Sequence, residues 1–271
     1  MGQAASGGQT SSSGNVMPEL QHITQKVLDQ VHEATGVPVI VQPDPSLTLL
    51  AKMTMARGSA PAHLISYNPR TASADYAICY QCGFILRVAG TPVEQRFEMA
   101  GTYRGRRDAE HLVNEQLRPL GLNRTQRLGV RDRMFDGLIL QLRSVPLGLR
   151  VDAWLSQEHS GLADQQRAMI SHQLQENTSA LGPDVRKMTP AKILTASATM
   201  NAAFAAFWSR QWADSALVAP YRLSGHLAEG EELLKILDTT PDTPAQDRDL
   251  IDGWGRRLGL DGWYEFEMVR N

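Results

Sequence analysis

Apolar and polar positions alternate along this chain in two regimes, and the change of regime comes near residue 122. Before it, helical and strand-like periods are interleaved. From Pro18, Leu20, Ile23, Val27, Leu28 and Val31 recur at helical spacing, and Gly36 is placed to end the helix. Val37–Val41 reads as a strand, Pro43-Asp44-Pro45 as a turn, and Leu49–Arg57 and His63–Asn68 as two further strands. Asn68-Pro69-Arg70 breaks the third strand, and Ser73 or Asp75 is suited to cap a long, largely apolar helix over Asp75–Arg87. Thr91–Glu94 starts a short helix, Gly101–Gly105 reads as a loop, and Arg106–Leu117 as a helix stopped by Pro119 and Gly121.

Beyond residue 122 the period is helical almost throughout. Candidate helices run over Asp132–Leu142, Arg150–Gln157, Gly161–Asn177, Pro190–Trp212, His226–Leu237 and Thr243–Leu258. In the fourth, Ile193, Met200, Phe204, Phe207 and Trp208 are interspersed with Ala196, Ala203 and Ala206, which describes a helix packed on several sides. The expected fold class is therefore α+β. A domain over 18–122, with helix, three strands and two helices, precedes an all-helical domain over 123–271, and 1–17 forms a disordered tail.

Composition adds little to that picture but narrows the chemistry. The chain has 271 residues, 42% hydrophobic and 21% charged, ample for a real core. Its net charge of −2 predicts no bulk attraction to nucleic acid or anionic membrane. The Gly/Ser/Gln tail has no apolar signal region, and its Met1–Ser6 start matches the loose myristoylation pattern, a match that short motifs make freely. The longest uncharged run, Ile193–Ser209, is short for a membrane span and carries Thr195, Ser197, Thr199 and Asn201. A cytoplasmic protein without a membrane span is expected. Two cysteines do not make a disulfide framework.

The stretch from the third strand to Pro119 resembles the ImmA/IrrE-like family of zinc metallopeptidases, a zincin family. The strand end Ile65-Ser66-Tyr67-Asn68-Pro69 matches its strand end. Asp108-Ala109-Glu110-His111-Leu112-Val113-Asn114-Glu115-Gln116-Leu117-Arg118-Pro119 matches its second helix, whose opening Glu is the third zinc ligand. The resemblance implies a zincin-like N-terminal domain with a His-Glu-x-x-His helix between these two parts. Here those five slots read Tyr80-Gln81-Cys82-Gly83-Phe84, and Asp108 stands at the third-ligand position. Phe84 cannot bind metal and neutral Gln81 cannot act as the base, whereas zinc catalysis needs three protein ligands and a bound water. The resemblance therefore implies a pseudo-peptidase, with no cofactor and no catalytic residue at the old centre. Its old cleft would hold a protein or peptide segment. That segment would add to an edge strand bearing His63, Ile65 and Tyr67, above a floor of Tyr80, Gln81 and Phe84.

Two other chemistries are weighed against this one. Cys79 and Cys82 form Cys-x-x-Cys, but they sit inside the helix rather than at its N-terminus, so two small buried hydrophobes are the simpler reading. A relocated metal site would draw on His63, Asp108 and His111, with or without a cysteine. Between Arg104 and Arg150, ten arginines face five carboxylates, a local excess of five positive charges that could meet nucleic-acid phosphates. The plainer alternative is that this region pairs with acidic parts of the fold or stays solvated.

Overall fold

A computed structural model describes residues 20–269. The expected tail and the myristoylation pattern lie outside the described residues. Helix α1 (His22–Thr35) ends at Gly36, whose φ of 70° is the left-handed cap that its missing Cβ permits. Strands β1 (Val39–Pro43), β2 (Ala51–Thr54) and β3 (His63–Tyr67) follow, then helix α2 (Ala74–Gly90). The sheet order is β1-β3-β2, with β1 parallel and β2 antiparallel to β3. This corrects one expectation. The strand carrying His63, Ile65 and Tyr67 is central, paired on both sides, and cannot accept a further strand. His63, Ile65 and Tyr67 are all buried.

Helix α2 buries Tyr76, Ala77, Ile78, Cys79, Cys82, Gly83 and Ile85 between α1, the sheet and helix α4 (Arg124–Glu158). Its N-terminal cap is not local, as the sequence suggests. Gln165, from helix α5 (Ala163–Ser179), accepts the Tyr76 N–H through Oε1 at 3.0 Å, and Asp75 instead accepts the Gln21 N–H at the start of α1. Its C-terminal carbonyls are also held from beyond the helix, because Arg96 donates to Thr91 O and Ala89 O.

Strand β4 (Phe97–Gly101) and helix α3 (Tyr103–Leu117) follow α2. The loop expected over Gly101–Gly105 is the junction of the two, with Thr102 as N-cap accepting the Gly105 N–H at 2.9 Å. Helix α4 then unites two segments expected as separate helices. Pro146 deprives the Leu142 carbonyl of its usual donor, yet the helix continues through it because Leu142, Leu147 and Leu149 are buried against neighbouring helices. After α5 come α6 (Pro183–Met188), α7 (Ala191–Trp212), α8 (Ala219–Leu223), α9 (Leu227–Thr239) and α10 (Asp247–Arg257).

The C-terminal region is largely rather than wholly helical. It ends in β5 (Tyr264–Met268), which pairs antiparallel with β4 from Phe97↔Met268 to Gly101↔Tyr264. Packing also crosses residue 122. Phe135, Leu138 and Leu142 of α4 enter a large core around α7, while Val151 and Leu155 of the same helix enter the core beneath α2. No helix among the described residues is long and apolar enough to cross a membrane.

The β4–β5 junction gives a direct test of this packing. A Cβ on Gly105 would lie 2.6 Å from Trp263 Cα and 2.8 Å from Trp263 O, a clash with backbone that cannot swing away. Gly105→Ala is expected to cost about 1–3 kcal/mol in urea unfolding, the scale of overpacking. Gly129→Ala, at a helical position with open space around it, should stabilise by up to about 1 kcal/mol. Equal effects of the two would refute the β4–β5 docking.

Candidate functional site

The four positions matched to a peptidase centre do not converge. Tyr80 stacks between Tyr76 and Phe84, at ring centroid distances of 5.8 Å and 5.2 Å, and its hydroxyl presses on Gly148 of α4. Burial, with the nearby Asp152, raises its phenol above the ordinary value. Gln81 is half-buried on the same helix, and Phe84 faces a cavity described below. Asp108 lies elsewhere, exposed on α3 in a shallow depression with Arg107, His111, Lys192 and Trp263.

The relocated metal set is not assembled either. His63 lies within the sheet, where its Nδ1 accepts the Ala56 N–H at 3.1 Å, which puts the ring proton on Nε2, 3.3 Å from Thr35 Oγ1. Burial lowers its pKa, so the ring is held neutral. His111 is on the outer face of α3, 3.4 Å from Glu115. Among the described residues, no group of three or more His, Cys, Asp or Glu side chains is placed to hold a metal. Both cysteines are buried free thiols. Burial pushes Cys79 up to about 12 and Cys82 higher still, the opposite of an activated thiol.

Several arginines of the 104–150 segment knit helices together. Arg106 bonds Asp132 and Asp136 at 2.8 Å each, and Arg131 bonds Glu110 at 2.9 Å and Asp132 at 2.7 Å, so α3 is tied to α4. Arg127 donates to Asn114 Oδ1 and Leu122 O.

What the fold does assemble is a half-open cavity of about 440 Å³. Its walls come from β2 and the segment after it (Met53, Met55, Arg57), from α2 (Phe84, Arg87, Val88), from β4 (Phe97, Glu98, Met99), and from α4 (Arg143, Leu147). A volume in this range, apolar walls and a few placed polar groups suit a small ligand or a side chain of a bound partner.

The edge of β2 opens on this cavity. The Asn68 N–H donates to Leu50 O at 2.8 Å, which sets the phase of the antiparallel ladder. Alternation then turns Lys52 and Thr54 backbone groups toward β3 and those of Ala51 and Met53 away from it, toward the unpaired side. Met53 and Met55, next along this edge, form one lip of the cavity.

The cationic groups around the cavity differ in how they are engaged. Arg87 is bound by Asp247 and Asp242, Arg96 by two carbonyls, and Arg57 by Glu98 across the mouth. Arg143, whose side chain remains exposed to solvent, alone makes no ion pair or hydrogen bond with any described residue; partial desolvation by the cavity walls, with repulsion from Arg57, lowers its pKa. This cavity was not legible in the sequence. Of its residues only Phe84 stood among the candidates, and Arg143 only as one of ten clustered arginines. No family model, curated protein or solved structure matches this chain.

Proposed function

We propose that this chain is a non-catalytic binding protein that docks an extended peptide segment of a partner along the free edge of β2. One side chain of that segment enters the adjoining cavity. The observation that carries the reading is the coincidence of an unpaired strand edge with an apolar cavity formed by the same strand. Strand addition supplies main-chain hydrogen bonds, and a pocket beside it supplies selectivity. The reading keeps the binding role that the resemblance to degenerate zincins implies, moved from β3 to β2. A strand that leads into an apolar helix whose ligand positions read Tyr80 and Phe84 supports it, because neither offers the donor set of a hydrolytic metal site.

The test uses the full chain against a library of extended heptapeptides. Peptides that enrich should bind with slowed hydrogen exchange at the Ala51 and Met53 amides, and Met55→Asp should weaken them roughly tenfold or more. Tight binding that ignores both Met55→Asp and Phe84→Asp in folded protein, with no protection of β2, would overturn the proposal.

A further inference from the structure

Resting on that reading, we infer that the cavity selects a carboxylate: the side chain inserted from the docked segment is acidic, and Arg143 receives it. Three of the four arginines lining the cavity already have partners. Arg87 is held by Asp247 through Nε at 2.8 Å and Nη2 at 2.6 Å, and by Asp242 through Nη1 at 2.9 Å. Arg96 caps α2, with Nε 3.0 Å from Thr91 O and Nη2 3.1 Å from Ala89 O. Arg57 is paired with Glu98, both exposed at the rim. Arg143 is left as an accessible cation among Phe84, Leu147 and the methionines, with no carboxylate of the described residues against it. A cation in such a setting is poorly solvated by protein and open to an anion from outside, and a guanidinium fork matches a carboxylate's two oxygens.

The same inventory sets the charge of the ligand. One free guanidinium matches one negative charge. A phosphate monoester carries nearly two, one more than this guanidinium offsets. The apolar walls fit the methylene stem that carries a carboxylate into the cavity. The inserted residue is therefore glutamate-like, and the partner segment is an extended strand with an acidic residue at the position that faces Arg143.

Fluorescence anisotropy on the full chain tests this with a library-selected heptapeptide whose pocket position is set in turn to Glu, Gln, Leu and phosphoserine. Glu should bind roughly tenfold tighter than Gln, the scale of one charge-assisted hydrogen bond, and that advantage should shrink in high salt. Arg143→Gln should abolish the preference, so that Glu and Gln peptides bind alike, and Arg143→Lys should retain part of it. If Gln and Leu peptides bind and Glu is no tighter, or if phosphoserine outbinds Glu, the carboxylate inference falls and the docking reading stands. If no peptide of the set binds, the docking reading itself falls and takes this inference with it.

Discussion

Asp247→Ala should destabilise the protein by about 3–5 kcal/mol, the scale of leaving a buried charge without its partner. Asp247 is almost fully buried and bonds two guanidiniums. Arg87 of α2 reaches it at 2.8 Å and 2.6 Å, and Arg150 of α4 at 3.1 Å. Arg150, also buried, donates in addition to Thr240 O at 2.8 Å and Pro241 O at 3.0 Å, so the turn before α10 is fastened to α4 as well. Burial alone would disfavour the Arg87 charge, and Asp247 and Asp242 more than restore it. Removing Asp247 leaves two cations facing each other with only Asp242, whose side chain is 59% exposed. Asp242→Ala is the control and should cost less than about 1 kcal/mol, because water screens that partner. Urea unfolding of both variants decides the matter, and losses of equal size would show that the cluster is not organised around Asp247. Since Arg87 and Asp247 also line the cavity, Asp247→Ala should impair peptide docking even under conditions where the protein remains folded.

The second large effect is a pH dependence centred on Asp152. This carboxylate is buried under α2, where its Oδ1 accepts from Tyr76 Oη at 2.7 Å and Gln166 Nε2 at 3.1 Å. Burial raises its pKa from 3.8 to about 7, against the smaller opposing pull of those two hydrogen bonds. The folded state therefore holds a proton that the unfolded chain releases near the ordinary value. Stability from this group is fully present below about pH 4, falls by at most roughly 1.4 kcal/mol per pH unit as pH rises, and is flat above about 7. Asp152→Asn keeps the oxygen acceptor and removes the titration. The difference in unfolding free energy between the two proteins should shift steadily in favour of Asn between about pH 4 and 7 and then level off. A difference that stays constant across this window would mean that Asp152 titrates alike in folded and unfolded chains.

Much of the secondary structure was present in the local pattern. The apolar run of α2, the left-handed Gly36, the stop at Gly121 and the alternating large and small residues of α7 each reflect a choice made within one or two helical turns. These are steric and burial effects, and neighbouring residues suffice to specify them. The α+β class follows from their order. The misreadings have equally definite causes. Pro146 signals a helix break, but buried leucines on both sides carried α4 through it. Phe97–Gly101 and Tyr264–Met268 pair only with each other, from positions far apart in the chain, and each stands beside a dominant helical signal that masks its period of two.

Tertiary structure alone decided where those elements went. A strand's place in a sheet depends on hydrogen bonds to residues far away in sequence, and the run His63–Tyr67 looks the same whether central or at an edge. That is why the docking edge belongs to β2. Asp108 follows a good helical pattern, yet α3 packs on α4 and carries it away from Tyr80 and Phe84. The cavity is built from parts of β2, α2, β4 and α4, and the freedom of Arg143 depends on which acceptors each other arginine met in space. Periodicity in this sequence determined which faces would be buried. It carried no record of which buried faces would meet, because those contacts were selected by shape and charge complementarity among segments as far apart in sequence as Arg96 and Val269.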